Sequence, residues 1–210
     1  MPGLVKVKVC GVTREEDVRT CVEAGVDAVG FNFWPQSKRY LTLDVAERLA
    51  ASVPATVLRV GVFVRAPPAE VRLAVERARL SVVQLHGDED PQDYVGVGAA
   101  LWQVVRISGP ESLPGMPSRA AAAVLLDAHV EGQGGQGRRF DWALVPWVRA
   151  WRLPVWLAGG LTPENVGEAI ARAAPDGVDV SSGVESAPGV KDPARVRAFV
   201  AAVRAAEAKP

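Results

Sequence analysis

Apolar positions along the chain follow two alternating periods. Short runs rich in Val, Leu and Ala end near Cys10, Phe33, Phe63, His86, Arg106, Asp127, Ala158 and Val180, at steps of roughly 20 to 31 residues, the scale of a strand plus its following helix. Residues 28–31, 60–63, 121–126 and 154–158 are apolar almost throughout. Strands buried on both faces read this way, as parallel strands beneath helices do. Between the runs the spacing becomes helical. Val18, Cys21 and Val22 form an i, i+3, i+4 stripe behind Thr13 and Glu16, which predict a capping box, and Gly25 suits the exit. Val71, Ala74, Val75 and Ala78 make the third stripe. Thr162-Pro163-Glu164 starts a helix that buries Val166, Ala169, Ile170 and Ala173. Asp192-Pro193 starts another, with Val196, Phe199, Val200 and Val203 inward. Residues 108–119 are rich in Pro, Gly and Ser, so the fifth helix is expected to be short or absent. The Gly-rich residues 131–139 directly follow a strand and are expected to form a mobile loop above the mouth of the fold.

Eight βα units in 210 residues predict an α/β protein folded as a single-domain (β/α)8 TIM barrel over residues 1–210. An open doubly wound sheet is the alternative, because its local pattern is the same. In both folds the site lies at the C-terminal ends of the strands.

Charge and composition narrow the function. Lys+Arg and Asp+Glu balance at 24 each, so net charge points to neither a nucleic-acid nor a membrane partner. No apolar run is long enough to span a bilayer, and the N-terminus runs straight into an alternating strand at residues 5–9, so a cytoplasmic location is expected. The cysteines, Cys10 and Cys21, are expected to be free thiols. With His86 and His129 they form no metal-ligand spacing, so neither a metal nor another cofactor is expected. Trp34, Trp102, Trp142, Trp147, Trp151 and Trp156 read mainly as packing or interface residues.

The strand ends carry the candidate chemistry. Gly159-Gly160 and Ser181-Ser182-Gly183 follow the seventh and eighth strands. Barrel enzymes often bind phosphate there, where glycines admit close approach of backbone N–H groups. As single turns either would merely close a strand; as a pair they favour phosphate. Cys10, at the first strand end, is either a plain core thiol or a base or nucleophile. Asp127 follows an unbroken apolar run and is either a structural cap or an acid whose pKa its setting raises. Asp179 either orients a sugar hydroxyl or caps a turn. Arg39 is a surface cation or a carboxylate clamp, and His86 either binds substrate or is structural. Cys21 lies on a helical stripe and reads as packing.

Several segments resemble phosphoribosylanthranilate isomerases. They are Lys8-Val9-Cys10-Gly11-Val12-Thr13 with Glu16-Asp17, Ser37-Lys38-Arg39-Tyr40, Val83-Gln84-Leu85-His86-Gly87, Leu125-Leu126-Asp127, Gly134-Gly135-Gln136-Gly137, Leu157-Ala158-Gly159-Gly160-Leu161, residues 178–185, and Pro188-Gly189-Val190-Lys191-Asp192. The similarity runs in order over nearly the whole chain. Gln136 departs from it, since the family's loop usually carries Thr there.

The resemblance implies an Amadori rearrangement of N-(5-phosphoribosyl)anthranilate in tryptophan biosynthesis, without cofactor. It implies Asp127 as general acid and Cys10 as general base, with Arg39 on the anthranilate carboxylate. Gly159, Gly160, Ser181, Ser182 and Gly183 would hold the phosphate, and His86 and Asp179 would line the pocket. The base must lose a proton readily and the acid must keep one. Lys8 lies two positions from Cys10, on the same strand face, where its charge would favour the thiolate.

Other phosphate-binding barrels fit less well. An indole-glycerol-phosphate synthase-like enzyme would show a Lys/Glu set, and a sugar-phosphate epimerase-like one metal-ligating His and Asp. A bifunctional relative acting on a histidine-pathway aminoaldose would carry Asp where Cys10 stands. A barrel that only binds a phosphorylated ligand is the non-enzymatic alternative. The expected partner is a phosphorylated small molecule, with a homodimer possible.

Overall fold

A computed structural model describes residues 4–106, 116–127 and 145–208. The Gly-rich residues 131–139 with Gln136, most of the fifth unit's proposed helix, His129, Trp142 and the Trp147 side chain lie outside the described residues.

Eight parallel strands pair in chain order, and the eighth closes on the first. They are β1 (Lys6–Cys10), β2 (Ala28–Asn32), β3 (Leu58–Phe63), β4 (Val82–Leu85), β5 (Ala100–Arg106), β6 (Ala123–Asp127), β7 (Val155–Ala158) and β8 (Gly177–Val180). The β1–β8 register, Lys8 beside Asp179 and Val9 beside Val180, decides for the closed barrel over the open sheet. The described helices are α1 (Glu15–Glu23), α2 (Leu43–Ala51), α3 (Pro68–Ala78), the short α4 (Val145–Val148), α5 (Val166–Ala173) and α6 (Pro193–Glu207). A short hairpin, β9 (Glu185–Ala187) and β10 (Val190–Lys191), lies between β8 and α6. No helix among the described residues is long and apolar enough to cross a membrane.

Two apolar cores separate by strand parity. Val7, Val9, Val29, Phe31, Val83, Leu85, Val124, Leu126, Val178 and Val180 pack outward against the helices. Ala28, Val60, Val82, Trp102, Val104, Ala123, Leu125, Trp156 and Ala158 fill the barrel interior. The alternation follows from the two-residue period of a strand. Trp102 and Trp156 meet with ring centroids 4.5 Å apart, and a Cβ on Gly177 would fall 2.5 Å from the Trp156 ring. The packing role expected of these two tryptophans holds.

The predicted helical stripes are buried, apart from Val22, which is partly so. The caps differ in detail. Asp192 caps α6 as expected, accepting from Ala194 N at 2.8 Å and Arg195 N at 3.1 Å. Thr162 accepts from Glu164 N at 3.3 Å, although regular helix begins only at Val166. The capping box at Thr13 and Glu16 does not form: Arg14 is the N-cap, without a side-chain cap bond. Thr13 instead donates across the fold to Gly189 O at 2.5 Å. A hydroxyl so engaged is lost to the helix start, where Glu15, Glu16 and Asp17 still favour the positive end of the dipole. Residues 116–122 carry a turn with Ala121 N donating to Ser118 O, and no helix.

Candidate active site

Carrying the inward parity one step beyond each strand leads to the mouth of the barrel. A cavity of about 610 Å³ opens there. Cys10 comes from β1, Asp127 from the end of β6, and Asp179 from β8. His86 follows β4, and Arg39 lies in the loop after β2. The turns with Gly159-Gly160 and Ser181-Ser182-Gly183 close one side. Every residue singled out from the sequence as a candidate site residue therefore lines one cavity.

Beneath it lies a buried ion pair. Lys8 Nζ donates to Asp179 Oδ2 at 2.7 Å, with both side chains almost wholly buried. Lys8 does point inward with Cys10, as the alternation predicts. Burial alone would lower its pKa, but Asp179 and Cys10 outweigh that, and the ammonium is held above its ordinary value. Burial pushes the Cys10 thiol up, with Asp179 adding to the rise while Lys8 and Lys191 oppose it, so the role of base would rest on those two cations. Burial likewise pushes the Asp179 carboxyl up, against the pull of Lys8. Its Oδ1 is buried and without a hydrogen-bond partner among the described residues.

Asp127 is not enclosed by apolar side chains, as its sequence context had suggested. Its side chain retains 23% exposure, and Oδ2 lies 3.2 Å from His86 Nε2. The strand before it is buried, but its end projects into an open mouth. On the other side of the ring, His86 Nδ1 lies 3.1 Å from Gln84 Nε2. Gln84 is 1% exposed, and its Oε1 has no partner among the described residues. Arg106 Nη2 donates to His86 O at 2.8 Å.

Arg39 is neither a surface cation nor an unengaged clamp. Its Nε and Nη2 donate to Glu185 Oε1 and Oε2 at 2.7 and 2.6 Å, and Lys191 Nζ donates to Glu185 Oε1 at 2.8 Å. Burial penalises the Glu185 carboxylate, but its two cations outweigh this and hold its pKa below the ordinary value. The Arg39 stem crosses Gly11 so closely that a Cβ there would fall 2.2 Å from Cδ.

The two Gly/Ser turns pack on each other. A Cβ on Gly183 would fall 1.9 Å from Leu161 O, and Gly159 and Gly160 have φ of 85° and 63°, a region that disfavours other residues. Asn165 Nδ2 donates to Gly160 O at 2.9 Å, and Ser181 Oγ donates to Cys10 O at 3.1 Å. Bare backbone thus borders the cavity on two adjoining turns, an arrangement suited to phosphate oxygens.

Sequence reasoning missed Asn32, Trp34, Arg65, Gln84 and Arg106 in the cavity wall, and Glu185 behind Arg39. Trp34 read as packing, yet it faces the cavity. Asn32, Gln84 and Arg106 share the inward parity of their strands, so the two-residue period was the signal that could have found them. Glu185 had none, because its partners are 146 and 6 residues away.

Residues 7–202 match the family model described as N-(5'-phosphoribosyl)anthranilate (PRA) isomerase. The chain is 48% identical over 204 residues to the N-(5'-phosphoribosyl)anthranilate isomerase of Myxococcus xanthus, covering 95% of this chain and 96% of that one. It superposes on the phosphoribosyl anthranilate isomerase of Thermotoga maritima with a TM-score of 0.87 and 37% identity, over 96% of this chain and 100% of that one. That relative is also described as dimeric. A structure of such an isomerase in complex with reduced 1-(o-carboxyphenylamino)-1-deoxyribulose 5-phosphate gives a TM-score of 0.83 at 36% identity, covering 96% and 100%.

Proposed function

The chain belongs to the N-(5'-phosphoribosyl)anthranilate isomerase family, and from that premise we propose that its cavity performs the Amadori rearrangement by acid–base catalysis, with Asp127 as acid and Cys10 as base. The enzyme acts on a phosphorylated small molecule in tryptophan biosynthesis, converting N-(5-phosphoribosyl)anthranilate to 1-(2-carboxyphenylamino)-1-deoxyribulose 5-phosphate. One observation carries the assignment of roles. Cys10 on β1 and Asp127 on β6 line the same cavity, and the strands between them in the closed barrel, β7 and β8, bear the two phosphate-type turns.

A substrate whose phosphate rests on Gly159, Gly160, Ser181, Ser182 and Gly183 holds its ribose between the two groups. Asp127 protonates the ribose ring oxygen, and the ring opens to a Schiff base. The Cys10 thiolate then takes the proton from C2′, and the enolamine tautomerises to the ketone. Each proton transfer contributes about 10²–10⁴-fold. Lys8 and Lys191 favour the thiolate against burial. Asp179 Oδ1, without a hydrogen-bond partner among the described residues, accepts from a ribose hydroxyl in this reading, and His86 lines the same pocket. Arg39, oriented by Glu185, meets the anthranilate carboxylate.

The test is turnover of freshly made phosphoribosylanthranilate, followed by loss of anthranilate-type fluorescence. Folded Cys10→Ser and Asp127→Asn variants should each lose two or more orders of magnitude in kcat. A variant with unimpaired kcat removes that residue from its role. An inactive parent that still binds phosphate returns the binding-only reading.

We propose that residues 1–210 form one catalytic domain working in the cytoplasm; limited proteolysis and cell fractionation check these points. Association into a homodimer follows the dimeric relative, and light scattering across a concentration series decides it.

A further inference from the structure

The side chains behind the acid form a chain of three: Gln84, His86 and Asp127, linked at 3.1 and 3.2 Å. A neutral imidazole offers one donor and one acceptor, and its neighbours select which nitrogen carries the proton. An amide N–H pointing at Nδ1 requires Nδ1 to accept, so the ring proton sits on Nε2. Nε2–H then donates to Asp127 Oδ2. In a protonated carboxyl the carbonyl oxygen is a much better acceptor than the hydroxyl oxygen, so an N–H donated to one oxygen favours the proton on the other. Oδ2 thereby becomes the carbonyl-type oxygen, and Oδ1 carries the acid proton.

The opposite orientation has the opposite effect. With Gln84 Oε1 turned to the ring, Nδ1 carries the proton and Nε2 presents its lone pair to Oδ2. Asp127 then satisfies that lone pair only by placing its own proton on Oδ2, where the imidazole holds it. The acid proton is directed at His86 instead of the substrate.

We propose that Gln84 is a positioning residue for the acid step, its buried amide holding His86 in the Nε2–H tautomer so that Asp127 delivers its proton from Oδ1. The inference rests on Asp127 being the acid. Three features favour it. Gln84 is 1% exposed and lines the cavity wall, so its amide is confined. Arg106 binds the His86 carbonyl and fixes the backbone that carries the ring. Among the described residues Gln84 Oε1 has no hydrogen-bond partner, so the contact of Nε2 with His86 Nδ1 is the bond that engages this buried amide. Asp179, the other carboxyl close to both His86 and Asp127, is already engaged by Lys8.

The chain has two histidines, His86 and His129, so a ¹⁵N-histidine-labelled sample gives two imidazole patterns, which a His129→Gln variant assigns. The parent should show His86 as the Nε2–H tautomer near neutral pH. Gln84→Met keeps the length of the side chain and removes its donor. It should mix or reverse the tautomer and lower kcat about tenfold, part of the value of a general acid, with KM changed less than about twofold. An Nδ1–H tautomer or an imidazolium in the parent overturns the proposal, whether or not the variant folds. So does a folded Gln84→Met variant that keeps both the parent tautomer and the parent kcat while Asp127→Asn is inactive. Full activity of Asp127→Asn would instead defeat the assignment of the acid, an outcome the tautomer spectrum does not share.

Discussion

Arg39 and Glu185 form a bidentate pair, Nε to Oε1 at 2.7 Å and Nη2 to Oε2 at 2.6 Å, across the rim of the cavity. The fork-on-fork geometry fixes the guanidinium plane as well as its position. On the proposed assignment, a substrate carboxylate would meet an arginine that is already oriented. Glu185→Gln keeps the shape and removes the charge, which leaves Arg39 and Lys191 without their shared anion. The expected result is a KM raised about tenfold with kcat little changed, the signature of lost ground-state binding. Lysine at position 39 should not restore it.

The same pair makes a pH prediction. The folded-state pKa of Glu185 is depressed. Its contribution to stability is therefore present above the ordinary glutamate pKa and is lost as pH falls through the lower folded value. The melting temperature of the parent should exceed that of Glu185→Gln near neutrality, and the gap should close only below the ordinary glutamate range. A constant gap down to strong acid would count against the ionised pair.

Removing the ammonium of Lys8 tests how the base is tuned. Lys8→Met leaves Asp179 buried without its partner, at a cost of about 3 kcal/mol. It also withdraws the charge that most opposes the rise in the Cys10 pKa. As the proposed base, Cys10 must be deprotonated, so the rising limb of the kcat/KM profile should move to higher pH. Alkylation of Cys10 against pH gives an independent reading. Cys21 will not interfere, since burial pushes it up to about 12. No movement of either profile would deny Lys8 this role.

Gly183→Ala tests the phosphate turns. The added Cβ meets Leu161 O, a backbone atom, so the two turns must separate. Inhibition by inorganic phosphate should weaken by about tenfold or more, given the steep cost of displacing a close-packed backbone. Unchanged phosphate inhibition would place the phosphate elsewhere.

Trp156→Ala removes a ring that fills the barrel interior against Trp102 and Gly177. A loss of about 3–5 kcal/mol is expected in urea unfolding. A much smaller loss would mean that the barrel interior collapses around the gap.

The sequence by itself determined the eight strand–helix units, and the pairing of β8 with β1 decided that they close into a barrel. Strand ends read at Cys10, Phe63, Arg106, Asp127, Ala158 and Val180 are the observed ones, and those read at Phe33 and His86 lie one residue past β2 and β4. Periodicity is a local property, set by the two-residue repeat of a strand and the 3.6-residue repeat of a helix, so it survives without the fold. For the same reason the types of the candidate residues, and their places at strand ends, were legible. Partnership was not. Lys8 and Asp179 are 171 residues apart, Arg39 and Glu185 are 146 apart, and His86 and Asp127 are 41 apart. Thr13 looked like a helix cap until the fold brought Gly189 to its hydroxyl. Ionisation was decided in the same way: the thiol of Cys10 answers to burial and to charges from β8 and β10, which the closure of β8 on β1 brings to it. Local spacing sets which residues face the cavity, and only the closed barrel sets which of them share a proton or a charge.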